Sequence, residues 1–181
     1  MTNMTVEKSI VPNEPPPYSP PVSFFGPTAI QGAILNPGHT YILWDRNTGL
    51  VLAMRDGNLA LVPHDTLRTH KDTWHWECEE KGGWFSLRHP AVRMNIGYRV
   101  GGRLSRWAAK LMVGEFDDVK QDRFCYRVAP EGGHQLWWKR DDSLHVVVLD
   151  PASGSELHLR SAGPNDVVSW EFVQLADGDR Q

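Results

Sequence analysis

The 181-residue sequence predicts an all-β domain of twelve strands grouped in three four-stranded repeats. Three observations carry that expectation. First, an aromatic-x-aromatic triplet recurs as Trp74-His75-Trp76, Phe124-Cys125-Tyr126 and Trp170-Glu171-Phe172. A spacing of two on a strand puts both rings on one face. The triplets begin 50 and 46 residues apart, a period that marks units unable to bury their apolar faces alone. Second, from His39 onward short alternating runs are broken by Gly or Asp-rich turns, the punctuation of strands rather than helices. Third, Gly82-Gly83 and Gly132-Gly133 follow the first two triplets at the same offset.

The elements follow in order. The first repeat offers Thr40–Asp45, Leu50–Arg55, Asn58–His64 and Trp74–Glu79. Asp56-Gly57 between its second and third runs is a hairpin signal, because both residue types tolerate a positive φ. The second repeat offers Trp84–His89, Val92–Val100, Lys110–Phe116 and Arg123–Ala129. The third offers Gln135–Arg140, Leu144–Asp150, Glu156–Ser161 and Ser169–Leu175. Alternation such as Leu50 with Leu52, or Leu157 with Leu159, suits strands with one buried face. Helical spacing competes at Arg103–Met112, through Leu104, Trp107, Ala108 and Leu111.

Composition divides the chain. Eight of the thirteen prolines fall by residue 37, whereas all eight tryptophans lie from Trp44 onward. Residues 1–37 therefore read as a disordered proline-rich arm, 38–176 as the folded domain and 177–181 as a disordered tail. Such proline density excludes helix interiors and central strands and favours extended polyproline segments. Pro15-Pro16-Pro17-Tyr18 has the Pro-Pro-x-Tyr form that WW domains bind, and Ser19-Pro20 has the form of a proline-directed phosphorylation site. Phe24, Phe25, Ile30, Ile34 and Leu35 are expected to fold back on the domain. The net charge of −3 argues against a general polyanion binder, and no apolar run is long enough for a membrane span. Met1–Lys8 lacks the pattern of a secretory signal, and two cysteines make no disulfide framework. An intracellular, cytoplasmic protein with reduced Cys78 and Cys125 is the resulting expectation.

No residue set announces a reaction. The chain has no His-Glu-x-x-His, no Gly-x-x-x-x-Gly-Lys and no Gly-x-Ser-x-Gly. Its eight histidines are scattered; His70 and His75 approach Cys78 in sequence, without a fourth metal ligand. The adjacent acids Glu79-Glu80, Asp117-Asp118 and Asp141-Asp142 point to opposite faces of a strand and read as solvated turns. We therefore expect no enzyme, no cofactor and no metal. One stretch stands out by charge. Between Glu80 and Glu115 there are seven basic residues and no acid: Lys81, Arg88, Arg93, Arg99, Arg103, Arg106 and Lys110. With Trp107 and Gly101-Gly102 they suggest an anion-gripping or protein-docking hairpin, as arginine forks bind carboxylates bidentately. Nucleic acid is not expected, because no base-stacking module is present.

Three four-stranded units, each closing on an aromatic-x-aromatic strand, resemble the β-trefoil. Tyr41-Ile42-Leu43, Trp74–Arg88 with Gly82-Gly83-Trp84-Phe85-Ser86-Leu87, and Val168–Val173 are similar to the fascin-like, actin-crosslinking superfamily, in particular to small trefoil proteins of filamentous fungi. The resemblance covers residues 39–176. It implies a six-stranded barrel with a six-stranded cap, in which Trp74, Trp76, Phe124, Tyr126, Trp170 and Phe172 build the core. Fascin needs several such domains to bundle filaments, so one domain implies at most single-site binding.

Two functional expectations result. The leading one is a non-catalytic module binding a protein, cytoskeletal or WW-type, through Arg99, Arg103, Arg106, Trp107 and Lys110 or through Pro15, Pro16, Pro17 and Tyr18. The alternative is a lectin, since trefoil lectins set flat aromatic faces against sugars beside carboxylates or amides. Trp44, Trp84, Trp107, Trp137 and Trp138 lie outside the triplets and are its candidates. Trp137-Trp138 draws notice because neighbours on a one-faced strand cannot both turn inward; with Trp107 they form the expected sugar platform.

Overall fold

The structure, a computed structural model, describes residues 29–55, 58–65, 74–100, 109–115, 122–140, 142–161 and 167–176. It is all-β. The strands are β1 (Thr40–Asp45), β2 (Leu50–Arg55), β3 (Asn58–Pro63) and β4 (Trp76–Lys81). They continue with β5 (Trp84–Arg88), β6 (Asn95–Val100), β7 (Ala109–Gly114) and β8 (Phe124–Val128). The last are β9 (His134–Arg140), β10 (Ser143–Leu149), β11 (Leu157–Arg160) and β12 (Trp170–Gln174). Within Arg103–Met112, the part that the structure describes is strand, and residues 101–108 lie outside the described residues.

Pairing closes a ring. β1 pairs with β12 and β4, and β4 pairs with β5. β5 then pairs with β8, β8 with β9, and β9 with β12. All six contacts are antiparallel, so no ring strand is left with an open edge. The other six strands are the hairpins β2–β3, β6–β7 and β10–β11. They meet through β3–β7 and β11–β7. Arg55 stands opposite Asn58, the two-residue connection that Asp56-Gly57 leads one to expect.

Leucines on the hairpins join the ring aromatics in one core: Leu52, Leu59, Leu61, Leu111, Leu157 and Leu159 with Trp76, Phe124, Trp138, Trp170 and Phe172. Four of the six triplet rings are fully buried there, and Tyr126 packs against it half-buried. Trp74 departs from the expectation. It precedes β4 and packs on a second cluster, around Ile42, Trp44, Val51 and Val173.

That second cluster shows why the one-faced reading of the strands failed. On β1, Tyr41 and Leu43 enter the main core while Ile42 and Trp44 are equally buried on the other side. β9 behaves the same way. Trp138 lies in the main core at 0 % exposure, and Trp137, at 8 %, packs outward against Val146 and Val148. Arg127 covers Trp137, its guanidinium carbon 3.9 Å from the ring centroid. Ring strands are thus wrapped on both faces, and neither tryptophan presents a free surface.

Residues 29–37, expected to belong to the arm, pack on the ring. Ile30 bridges to Gln174, and the Ala33 N–H donates to the Phe172 carbonyl. The Tyr41 hydroxyl donates to the Ile34 carbonyl at 3.0 Å and accepts from the Asn36 N–H at 2.8 Å. Leu35 enters the core, but Ile30 and Ile34 remain exposed, so among the three expected anchors in the described residues one is a plug. Phe24 and Phe25 lie outside the described residues, as do residues 1–28 and 177–181. Among the described residues no helix is long and apolar enough to cross a membrane.

Candidate functional site

The turn between β4 and β5 borders the candidate site. Gly82 and Gly83 both take positive φ, 64° and 83°, which lets the chain reverse in two residues. The Gly83 N–H donates to the Glu80 carboxylate, fixing the turn. Along β4 the residues alternate: Trp76 and Cys78 point into the core, while Glu77 and Glu79 share the opposite face. β1 accompanies β4 only at Thr40 and Tyr41, opposite Glu77 and Trp76. Beyond that point the chain before β1 takes over: the Gly38 N–H donates to the Cys78 carbonyl, and the Cys78 N–H donates to the His39 carbonyl.

A groove of about 520 Å³ opens where these segments part. Pro37, Gly38, Glu77, Cys78, Glu79, Glu80, Lys81 and Arg123 line it. Three carboxylates and two cationic side chains therefore line the same cleft. Arg88 holds Glu79 at 3.6 Å and Arg93 reaches Glu77 at 4.0 Å, each pair with one exposed and one half-buried partner, so that solvent screens the attraction. Arg123 lies 3.4 Å from Asp122, which in turn accepts from the Asn95 amide at 2.6 Å. Cys78 also lines the groove, while its thiol belongs to the core. Burial pushes it up to about 12, with a further push from the Glu79 charge, so it is no nucleophile at neutral pH. Register sets Trp84 directly opposite Lys81, on the sheet face of Glu77 and Glu79, and its ring is half-buried.

The residues singled out by sequence fare differently. Arg99 and Lys110 are brought together as a directly opposed pair on β6 and β7, which sets like charges side by side. Lys110 is already engaged, its Nζ 2.7 Å from Glu156 Oε1. Arg103, Arg106 and Trp107 lie outside the described residues, as do Pro15, Pro16, Pro17 and Tyr18. Trp137 and Trp138 are spent on packing, which corrects their place in a sugar platform. Glu79 and Glu80, read as a solvated turn, are exposed and line the groove. Nothing in their sequence context marks this, because the cleft arises from the parting of distant segments. Among the described residues, Trp84 is the one tryptophan outside the triplets that is half-exposed, on the sheet face of Glu77 and Glu79.

No family model matches the chain, and no curated protein matches it. Solved structures do. The chain is similar to a ricin B-like lectin of Macrolepiota procera in complex with lactose, at 10 % identity and TM-score 0.60, over 80 % of this chain and 100 % of that one. It is similar to the Rhizoctonia solani agglutinin at 16 % identity and TM-score 0.59, over 79 % and 99 %. A GH43 β-1,3-galactosidase matches 85 % of this chain at 11 % identity and TM-score 0.63, and the chain spans 30 % of that enzyme's length. The fold is β-trefoil-like. These neighbours overturn the leading expectation of a protein-binding module of actin-crosslinking type.

Proposed function

We propose that the chain is a non-catalytic carbohydrate-binding module of β-trefoil type, its twelve strands forming three four-stranded pseudo-repeats. The observation that carries the reading is the groove beside β4, where three carboxylates and two cationic side chains line one cleft. A sugar offers vicinal hydroxyls that both donate and accept. Glu77, Glu79 and Glu80 accept from them, and Lys81 and Arg123 donate. Half-buried Trp84, next to the groove and not among its lining residues, offers an apolar face to a pyranose ring that extends beyond it. The cavity volume suits one or two sugar rings rather than a long chain. Three structural neighbours, a lectin in complex with lactose, an agglutinin and a galactosidase, support the same ligand class, with a galactose-terminated glycan as the first probe.

Calorimetry with lactose and a glycan array on the full chain test the proposal. A Glu79→Gln, Lys81→Ala double variant is expected to lose at least about tenfold in affinity, since each lost charged hydrogen bond is worth about 1.5–3 kcal/mol. Both side chains are exposed, so the unfolding midpoint should stay in place. A chain that recognises no glycan on the array ends the reading. So does a double variant that binds as well as the parent.

A further inference from the structure

A second polar cluster lies on the β10–β11 hairpin, away from the groove. Val148 stands opposite His158 and Leu149 opposite Leu157, which brings Asp150 level with Glu156 as the strands part. His158 follows Glu156 by two residues, so both share one face of the hairpin. One ligand atom each from Asp150, Glu156 and His158 lies within 4.8 Å of the other two. We propose that these three side chains form a divalent transition-metal site that takes Zn²⁺.

The loop is built to hold them. The Asp150 N–H donates to the Glu156 carbonyl at 2.8 Å, and the Gly154 N–H donates to the Asp150 carbonyl at 2.9 Å. Ser153 Oγ accepts from the Ser155 and Glu156 N–H groups at 3.3 and 2.9 Å. Glu156 divides its oxygens. Oε1 accepts from Lys110 Nζ, and Oε2 faces His158 Nε2 at 3.7 Å, too long for a hydrogen bond. His158 Nε2 is itself buried and makes no hydrogen bond, which an imidazole nitrogen beside two carboxylates does not tolerate without cost. A cation between the three satisfies it. One imidazole nitrogen with two carboxylate oxygens matches zinc, and closing the cluster to about 2.0–2.2 Å from each donor leaves an open fourth position for water. Lys110 stays on Oε1 and positions Glu156, holding Oε2 toward the ion. Strand β7 delivers it, since His158 and Lys110 are register partners.

This inference is independent of the glycan reading, and its test uses no sugar. The full chain, stripped with chelator, is titrated with Zn²⁺ alone by calorimetry, with Mg²⁺ as comparator. One Zn²⁺ per chain is expected, with no binding of Mg²⁺ at the same concentration. A hundredfold excess over Kd should raise the unfolding midpoint by about 5–10 °C. Asp150→Asn and His158→Gln should each weaken Zn²⁺ binding at least tenfold while the metal-free midpoints stay with the parent. Should His158→Gln fail to fold, Asp150→Asn decides alone. Absence of saturable Zn²⁺ binding overturns the proposal. Binding that persists undiminished in the variants does so too, because the ion then sits elsewhere.

Discussion

Two glycine pairs occupy matching places after the first two aromatic triplets, yet the molecule uses them differently. Gly82-Gly83 turns in open space: a Cβ at either position would meet nothing within 4 Å. Gly132-Gly133 takes the same left-handed conformation, at 91° and 76°, but is packed. A Cβ on Gly132 would fall 2.5 Å from Arg46 Nη1. One on Gly133 would lie 2.6 Å from Ser169 Oγ, 2.9 Å from Arg46 Cδ and 3.0 Å from the Trp170 carbonyl. Arg46 follows β1, and its backbone N–H donates to the Ser169 carbonyl at 2.8 Å, so it is laid across the β8–β9 turn. The first glycine pair serves the backbone alone and leaves a groove beside it. The second serves backbone and space, and an arginine fills what would be the equivalent opening. A repeated fold can thus keep one site open and close another without changing its turns.

The comparison predicts unequal penalties. Gly133→Ala should cost about 2–5 kcal/mol, adding overpacking to the left-handed strain, whereas Gly83→Ala should cost about 1–2 kcal/mol from strain alone. Urea unfolding of the two variants measures this directly; equal losses would erase the distinction between the turns.

The packed side should also be the acid-sensitive one. His134 stacks on Phe172 with centroids 4.5 Å apart, and Tyr126 meets it edge-on at 5.3 Å. Burial holds its pKa below the ordinary 6.5, and the Arg46 charge adds to the effect. The unfolded chain then binds this proton more readily than the folded one. Its contribution is complete above 6.5 and is lost as pH falls from there through the lowered folded value. Denaturation at pH 7.5 and 5.5 should therefore show a loss of stability that His134→Phe reduces. Asp45 acts in the opposite sense at lower pH, because burial raises its carboxyl above 3.8 and protonation there favours the fold. The smallest effect belongs to a core thiol beneath β4. Cys78, buried and shifted to about 12, should resist iodoacetamide at pH 8 in the native protein and react after denaturation. Fast native labelling at this residue would mean that the core beneath β4 opens.

The strands were largely legible because their causes are local. Thr40–Asp45 and Leu50–Arg55 coincide with β1 and β2, and the aromatic triplets at Phe124 and Trp170 head β8 and β12. Trp74 missed its place because β4 starts two residues later, at Trp76, where pairing with Tyr41 begins. Burial of Trp137 was illegible, since it depends on Val146 and Val148 of a neighbouring strand and on Arg127 across β8. The groove was equally hidden. Glu79 and Glu80 line a cleft only because Pro37 and Arg123, far away in the chain, stop short of them. The Asp150, Glu156 and His158 cluster left a faint signal, an acid and a histidine two apart on an alternating run. Its third member becomes visible only once the hairpin register is known.

The seam between β1 and β12 also governs timing. Tyr41 pairs with Gln174 and Asp45 with Trp170, so the barrel is sealed by its earliest and latest strands. During synthesis the first hairpins must wait, with the flank of β1 bare, until Trp170–Gln174 has left the ribosome. Contacts of such range are slow to form, and a waiting flank is where a nascent chain adheres to its copies. Shortening the chain ahead of Trp170 would therefore do more than trim a terminus: it would leave β1 and β9 unzipped and turn a sealed cylinder into a sticky ribbon.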